Sequence, residues 1–194
     1  MLPTALSRYR TPGALRDLVL VDVLEITGTT AAAAAALAVS QPSVSRRYRT
    51  VASELGLQRD NHKPIGRRFA DAAWMAPLRR GVNQHRLACG VLRIGGPPEC
   101  APCLANRPWA EWITLGRSQQ LHWTALLEQE LLDAVALLQL PSPDGYGRQG
   151  LVPVVPAEAT HSLCLLCRRD PQVLAVARRI GRLAAAIDQV SNQG

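Results

Sequence analysis

Residues 28–56 read GTTAAAAAALAVSQPSVSRRYRTVASELG and contain the signals of two short helices joined by a tight turn. Thr29 offers an N-cap to a run of six alanines, the residue with the highest helix propensity. Ser40 is an N-cap for the next helix, and Pro42 suits a first turn because the amide that proline lacks would be unpaired there. Gly56 is placed to end that helix. This pattern predicts a helix-turn-helix.

The helix that opens at Ser40 is amphipathic, and its polar face is basic. In a major groove its N-terminus would present free amides to phosphate. Gln41 and Ser45 can hydrogen-bond base edges, and Arg46 suits O6 and N7 of guanine. Other basic side chains suit phosphates, which give affinity without sequence information. The predicted DNA-binding residues are Gln41, Pro42, Ser45, Arg46, Arg47, Arg49, Lys63, Arg67 and Arg68.

The positive charge is confined to the first half of the chain. The net charge is +7. Residues 1–88 hold 13 Lys and Arg against 6 Asp and Glu, whereas residues 89–194 hold nine of each. A basic half beside a neutral half is typical of a polyanion-binding module joined to a second part.

Two further helices flank the predicted motif. Ala14 to Thr27 has helical apolar spacing, and Leu20, Val21 and Leu24 extend its apolar surface to a second face, which predicts contact with a partner element. Phe69 to Leu87 is a second helix, and we expect Pro77 and Gly81 to kink or divide it.

The second half alternates strands with helices, which predicts a mostly parallel sheet. The Pro- and Gly-rich composition of Pro141 to Gly150 predicts a linker. The predicted strands are Gly90–Gly95, Trp112–Leu115, Leu132–Leu138 and Leu163–Cys167. The predicted helices are Ser118–Glu130 and Pro171–Gln189.

Gly28–Gly56 resembles the N-terminal segment of LysR-type transcriptional regulators, and the likeness continues without a gap to Phe69–Ala73. In that family the residues that match Gln41, Pro42, Ser45 and Arg46 lie at the DNA groove. The segment from Phe69 resembles the start of the linker helix, which usually makes the dimer. The chain departs from the family at Arg59-Asp60, where the wing normally has an apolar pair, and at Ala70, where Thr is usual.

The second half resembles the effector domain of that family only in part, because its second lobe is missing. The expected fold class is therefore a two-part α+β and α/β chain, with a winged helix-turn-helix and linker helix before a small, incomplete α/β lobe. The expected boundaries are 1–68 for the DNA-binding domain, 69–88 for the linker helix and 89–194 for the effector-like domain. In the position that the family usually uses, such a lobe would offer only an open surface, so we expect no tight small-molecule effector there.

Five cysteines include the pairs Cys100/Cys103 and Cys164/Cys167. Cys164 and Cys167 lie three apart on a predicted strand and should face opposite ways, which disfavours a four-thiolate zinc site. Three alternatives remain open: a zinc- or redox-responsive regulator, a thiol oxidoreductase using Cys100 and Cys103, and a protein that dimerises with full-length relatives and blocks them.

We predict a sequence-specific regulator that binds double-stranded DNA as a homodimer, without cofactor or catalytic activity. The four histidines share no catalytic spacing. No stretch resembles a signal peptide, and the longest apolar run, Ala31 to Val39, falls short of the roughly 18 residues that a membrane helix needs. A cytoplasmic location is therefore expected.

Overall fold

The computed structural model describes residues 9–69, 73–139, 146, 150–157 and 163–183. The N-terminal part forms three helices, as predicted. Gly28, in the left-handed region at φ 78°, ends the first helix, and Thr29 Oγ1 caps the second by accepting from the Ala32 amide at 3.1 Å. The three helices are α1 (Arg16–Thr27), α2 (Thr30–Leu37) and α3 (Gln41–Glu54).

Helix α4 spans Met75–Ala88 without interruption, so the predicted start at Phe69 is wrong and the helix is not divided into two pieces. Pro77 lies in the first turn, where its missing amide has no helical partner to lose. Gly81 lies on the exposed side of the helix. Phe69 is instead a buried anchor of the loop that precedes α4.

The second half forms a sheet with short helices around it. Its strands are β1 (Leu92–Gly96), β2 (Ala110–Thr114), β3 (Ala134–Leu137), β4 (Val152–Pro156), β5 (Cys164–Cys167) and β6 (Gly181–Leu183). Its helices are α5 (Ala101–Leu104), α6 (Arg117–Gln120), α7 (Trp123–Glu128) and α8 (Pro171–Ile180). The predicted helix Ser118–Glu130 is thus divided into two, and the last helix ends at Ile180 rather than Gln189.

The six described strands lie in the order β2-β1-β3-β5-β4-β6. The strand β1 pairs in parallel with β2 and β3, whereas β3–β5, β5–β4 and β4–β6 are antiparallel. The prediction of a mostly parallel sheet was therefore wrong. It failed because β5 returns between β3 and β4, and because β4 was not predicted at all.

The sheet is covered on both faces, and one cover is the N-terminal helix group. Side chains of α1, α2 and α3 share a buried cluster with Ile113, Val135 and Leu166 of the sheet. The other face packs against α5 and α8. Cys164 belongs to the first cluster and Cys167 to the second, which confirms that their side chains point to opposite faces.

Helix α1 is the element that joins the two parts. Val19 to Thr27 are all buried, so its second apolar face contacts the chain's own sheet and is unavailable to a second subunit. The N-terminal helices thus cover one face of the sheet, which the sequence predicted as a separate domain. Of the predicted linker at Pro141 to Gly150, only Tyr146 and Gly150 are described, and Tyr146 is buried. In the described part of the chain, no helix has the length and apolar character needed to cross a membrane.

Candidate nucleic-acid interface

A three-residue turn, Ala38 to Ser40, holds α2 and α3 at a fixed angle. Ala38 has a left-handed backbone at φ 53°, and its amide closes the end of α2 on Ala34 and Ala35. Gln41 Nε2 donates to Thr30 Oγ1 at 3.1 Å, which ties the start of α3 to the start of α2. Ser40 occupies the N-cap position, but its hydroxyl pairs with Ser43 Oγ at 2.8 Å instead of a backbone amide. Two short helices joined by a tight turn are thus present where the sequence predicts them.

Helix α3 has a buried side and an exposed side, as its sequence pattern predicts. Val44 and Val51 are buried in the core. Gly56, left-handed at φ 61°, follows the helix. The side turned to solvent carries most of the residues predicted to read DNA, with Ser45 half-buried at its border. The exposed members of that predicted set on α3 are Gln41, Pro42, Arg46 and Arg49.

The three arginines of α3 have different surroundings. Among the described residues, Arg46 has no acidic partner, so its guanidinium is available to a ligand. Arg49 Nε donates to the Ser45 carbonyl at 3.3 Å and remains exposed. Arg47 turns back to α1, where its Nε and Nη2 lie 3.0 and 2.5 Å from Asp17 Oδ1. Arg47 is therefore the member of the predicted set that is least available to phosphate.

The segment after α3 is an irregular loop, since residues 55–69 contain no strand. Leu57, Ile65 and Phe69 anchor it in the core. Arg59, which replaces an apolar wing residue, donates from Nη2 to the Gly28 carbonyl at 2.9 Å. Polar contacts with the end of α1 thus take the place of apolar wing packing.

Glu25 on α1 holds this loop in place by accepting two backbone hydrogen bonds, a role that the sequence analysis did not predict. Its Oε1 accepts from the amides of Gly66 at 2.6 Å and Arg68 at 3.1 Å. Burial raises the pKa of Glu25, although these bonds and the nearby Arg68 and Arg59 oppose the effect. An acidic residue inside an otherwise apolar helix was the signal in the sequence.

The basic residues of the loop differ in exposure. Arg67 is exposed and lies 3.5 Å from Glu128 through Nη2, a weak contact that water can replace. Lys63 and Arg68 are half-buried. The exposed side of α3 and this loop thus both carry exposed basic side chains.

Buried ion pairs connect the helices and strands that lie behind these surfaces. Asp22 on α1 accepts from Arg79 Nε of α4 at 2.8 Å. Arg93 on β1 pairs with Glu111 on β2 at 2.9 Å. Asp133 pairs with Arg86 and, at 3.2 Å, with Arg168. Burial alone would raise the pKa of Asp133, but the two arginines outweigh it and the pKa lies below its ordinary value.

The five cysteines differ in burial and have no predicted metal partner group among the described residues. No group of three His, Cys, Asp or Glu side chains in the described ranges is placed to hold a metal ion. Cys100, Cys164 and Cys167 are buried, and burial raises the pKa of Cys100 to about 11. Cys89 is exposed and Cys103 half-buried. A thiol with a raised pKa is a poor nucleophile, so the geometry gives no support to the zinc and oxidoreductase alternatives.

No family model matches the sequence. No curated protein matches it either. Several solved structures are similar. OxyR from Corynebacterium glutamicum is 19% identical, with 78% of this chain and 55% of that chain covered and a TM-score of 0.32. HinK, a LysR family transcriptional regulator from Pseudomonas aeruginosa, is 21% identical, with 75% and 57% covered and a TM-score of 0.30. ArgP from Mycobacterium tuberculosis is 18% identical, with 72% and 55% covered and a TM-score of 0.32.

The chain resembles LysR-type regulators, as residues 28–73 predicted, and the solved structures that it matches include regulators of that family. It spans just over half the length of those proteins. At these identities and TM-scores the structural likeness carries no argument about function. The functional proposal depends on the residues of α3 and the loop that follows it.

Proposed function

We propose that the chain is a transcriptional regulator that binds double-stranded DNA with helix α3. The observation that carries the proposal is the solvent-facing side of α3, where Gln41, Pro42, Arg46 and Arg49 lie together at the start of a helix held by a tight turn. A helix of this kind enters the major groove with its first residues against base edges.

The proposed contacts divide into two kinds. Gln41, Ser45 and Arg46 read bases, because their donors and acceptors match base edges. Arg49, Lys63, Arg67 and Arg68 bind phosphates on either side of α3. Arg47 reaches a phosphate only by leaving Asp17, so we assign it the smaller share of the affinity. The loop after α3 serves as the wing in this proposal, although it holds no strand.

We further propose a homodimer formed through the exposed side of α4. Trp74, directly before the helix, and Leu78 are 40% and 44% exposed, whereas the buried side of the helix packs against α1 and α8. One helix-turn-helix reads few base pairs, and a second copy one helical turn away would supply the rest of the site. We propose no catalytic role, and a cytoplasmic location follows from the proposed DNA target.

The test is selection of bound sequences from random duplex DNA by the full chain, followed by binding measurements on the selected duplex at several salt concentrations. We expect an enriched, partly palindromic motif and a linear fall of log affinity with log salt. Recovery of unenriched DNA, with equal affinity for selected and random duplexes, would refute a sequence-specific regulator.

A further inference from the structure

A cleft of about 620 Å³ lies between helix α2 and strand β2. This volume falls in the range of small-molecule sites, about 300–1,000 Å³. One wall is formed by alanines of α2, and the other by strand β2 with the indole of Trp112. The small side chains leave room for a flat molecule between the two walls. The cleft belongs to neither the proposed DNA surface nor the proposed dimer surface.

The β2 wall presents unpaired backbone groups. The Leu92 amide donates to the Trp109 carbonyl at 2.9 Å, and the Leu115 amide to the Gly96 carbonyl at 2.8 Å. Since backbone groups alternate along a strand, odd-numbered residues of β2 bond to β1 and even-numbered ones face away. Strand β2 is an outer strand of the described sheet. The Trp112 carbonyl and the Thr114 amide therefore face the cleft side without a partner among the described residues.

The lining is close to electrically neutral. Glu111 is its one ionisable carboxylate among the described residues, and it already pairs with Arg93 Nε at 2.9 Å and Arg86 Nε at 3.4 Å. Burial would raise the pKa of Glu111, but these two arginines hold it below its ordinary value, so the group stays ionised and paired. The Tyr9 hydroxyl is bonded to His85 Nδ1 at 3.3 Å. Among the described residues that line the cleft, an ionic ligand would find no free countercharge.

We propose that this cleft binds a flat, uncharged heteroaromatic molecule whose edge carries an adjacent donor and acceptor, as in a cyclic amide. The donor would bond to the Trp112 carbonyl and the acceptor to the Thr114 amide. The ring would lie between the alanines of α2 and the β2 wall. Such a ligand satisfies two backbone groups that an outer strand otherwise leaves to water, while its ring buries apolar surface on both sides.

The experiment titrates the full chain with 2-quinolone and follows the amide signals of Trp112 and Thr114 by NMR. Two probes of similar shape serve as comparisons: N-methyl-2-quinolone, which lacks the donor, and 2-naphthoate, which is an anion. We expect saturable shifts of both amides with 2-quinolone and binding at least about fivefold weaker with either comparison. Equal or tighter binding of either comparison, or no saturable shift up to the solubility limit, would overturn the proposal.

Two pairs of variants locate the site. Ala36→Trp fills the cleft from α2 and should abolish binding, whereas Ala31→Trp adds the same side chain on the same helix outside the cleft and should preserve it. Thr114→Pro removes the outward-facing amide, which an outer strand tolerates, together with the hydroxyl that accepts from Trp112 Nε1 at 3.0 Å. Thr114→Val removes the same hydroxyl but keeps the amide, so the two variants differ in the amide. We expect the proline variant alone of this pair to lose affinity for 2-quinolone. Binding of 2-quinolone that survives in folded Ala36→Trp or Thr114→Pro protein contradicts the proposed site. If Ala36→Trp does not fold, the comparison of Thr114→Pro with Thr114→Val tests the site alone.

Discussion

Arg79 Nε donates to Asp22 Oδ1 at 2.8 Å, and both side chains are more than 90% buried. The pair joins α1, the helix that precedes α2 and α3, to α4. Arg93 Nη1 on the sheet approaches the other oxygen of Asp22 to 4.0 Å. One carboxylate thus connects α1, α4 and the sheet.

Loss of Asp22 should destabilise the whole chain. Asp22→Ala leaves Arg79 buried without its countercharge, and we expect a loss of about 3–5 kcal/mol in the free energy of unfolding. Asp17→Ala removes the half-exposed partner of Arg47 and should cost less than about 1 kcal/mol. Urea denaturation of the two variants checks the difference. Equal losses would mean that the buried pair contributes no more than the surface pair.

Helix α3 should separate base reading from phosphate binding. Gln41→Ala and Arg46→Ala should relax base preference, the latter by about 1–3 kcal/mol of discrimination. Arg49→Ala should weaken binding to all duplexes alike and lower the salt slope by about 1. Arg179→Ala on α8 removes the same charge from an exposed helix remote from α3 and is the control. Unchanged selectivity in both of the first two variants contradicts the assignment of the reading face.

The pH dependence of stability should change when Glu25 is replaced. Burial raises the pKa of Glu25 in the folded chain above its unfolded value, so its contribution is fully present below the unfolded pKa and is lost as pH rises through the folded pKa. Glu25→Gln keeps an acceptor for Gly66 and Arg68 but does not titrate. We therefore expect the stability of the variant relative to the original chain to increase from pH 4 to pH 7. Denaturation curves across this interval test the sign, and a relative decrease would show that the carboxylate form is favoured by folding.

The exposed side of α4 should control the oligomeric state. Leu78→Glu places a charge in the proposed interface and should convert the dimer to a monomer at micromolar concentration. Leu121→Glu introduces the same change at a leucine that is 81% exposed elsewhere and should leave the dimer intact. Light scattering coupled to size-exclusion chromatography distinguishes the two. A monomeric original chain, or a dimeric Leu78→Glu variant, rules out this interface.

Thiol reactivity should follow burial. Cys89 is exposed and should be alkylated first by iodoacetamide at pH 7.5, whereas buried Cys100, with its pKa raised to about 11, should react slowest together with Cys164 and Cys167. Mass spectrometry of digested protein measures the order. Fast reaction at Cys100, or stoichiometric zinc that disappears in Cys100→Ser, would restore the redox or zinc alternative.

Local signals in the sequence predicted the ends of the first three helices well. Gly28, Thr29 and Gly56 lie where their backbone preferences place them, because each acts on its immediate neighbours. The left-handed turn at Ala38 was not foreseen, since alanine has no preference for that conformation. Strand β4 was missed because Pro153 and Pro156 normally argue against an inner strand.

Long-range contacts account for the other failures. Charged residues predict solvent exposure, yet Arg86 and Arg93 are fully buried because acidic partners reach them from other elements. The second apolar face of α1 was recognised, but its partner could be identified only in three dimensions. The positions predicted to contact DNA remain predictions, and the structure gives each of them its exposure and its neighbours.

The burial of α1 against the sheet has a consequence for how this protein can be altered. Regulators whose DNA-binding domain folds independently can exchange that domain for another by recombination at the linker. Here, dividing the chain after α3 would remove the helices that cover one face of the sheet. It would also expose Leu20, Leu24 and Ile26 to water. The N-terminal helices and the sheet should therefore unfold together in a single transition. New DNA preferences are then better introduced by substitutions on α3 than by replacing the DNA-binding part with that of another protein.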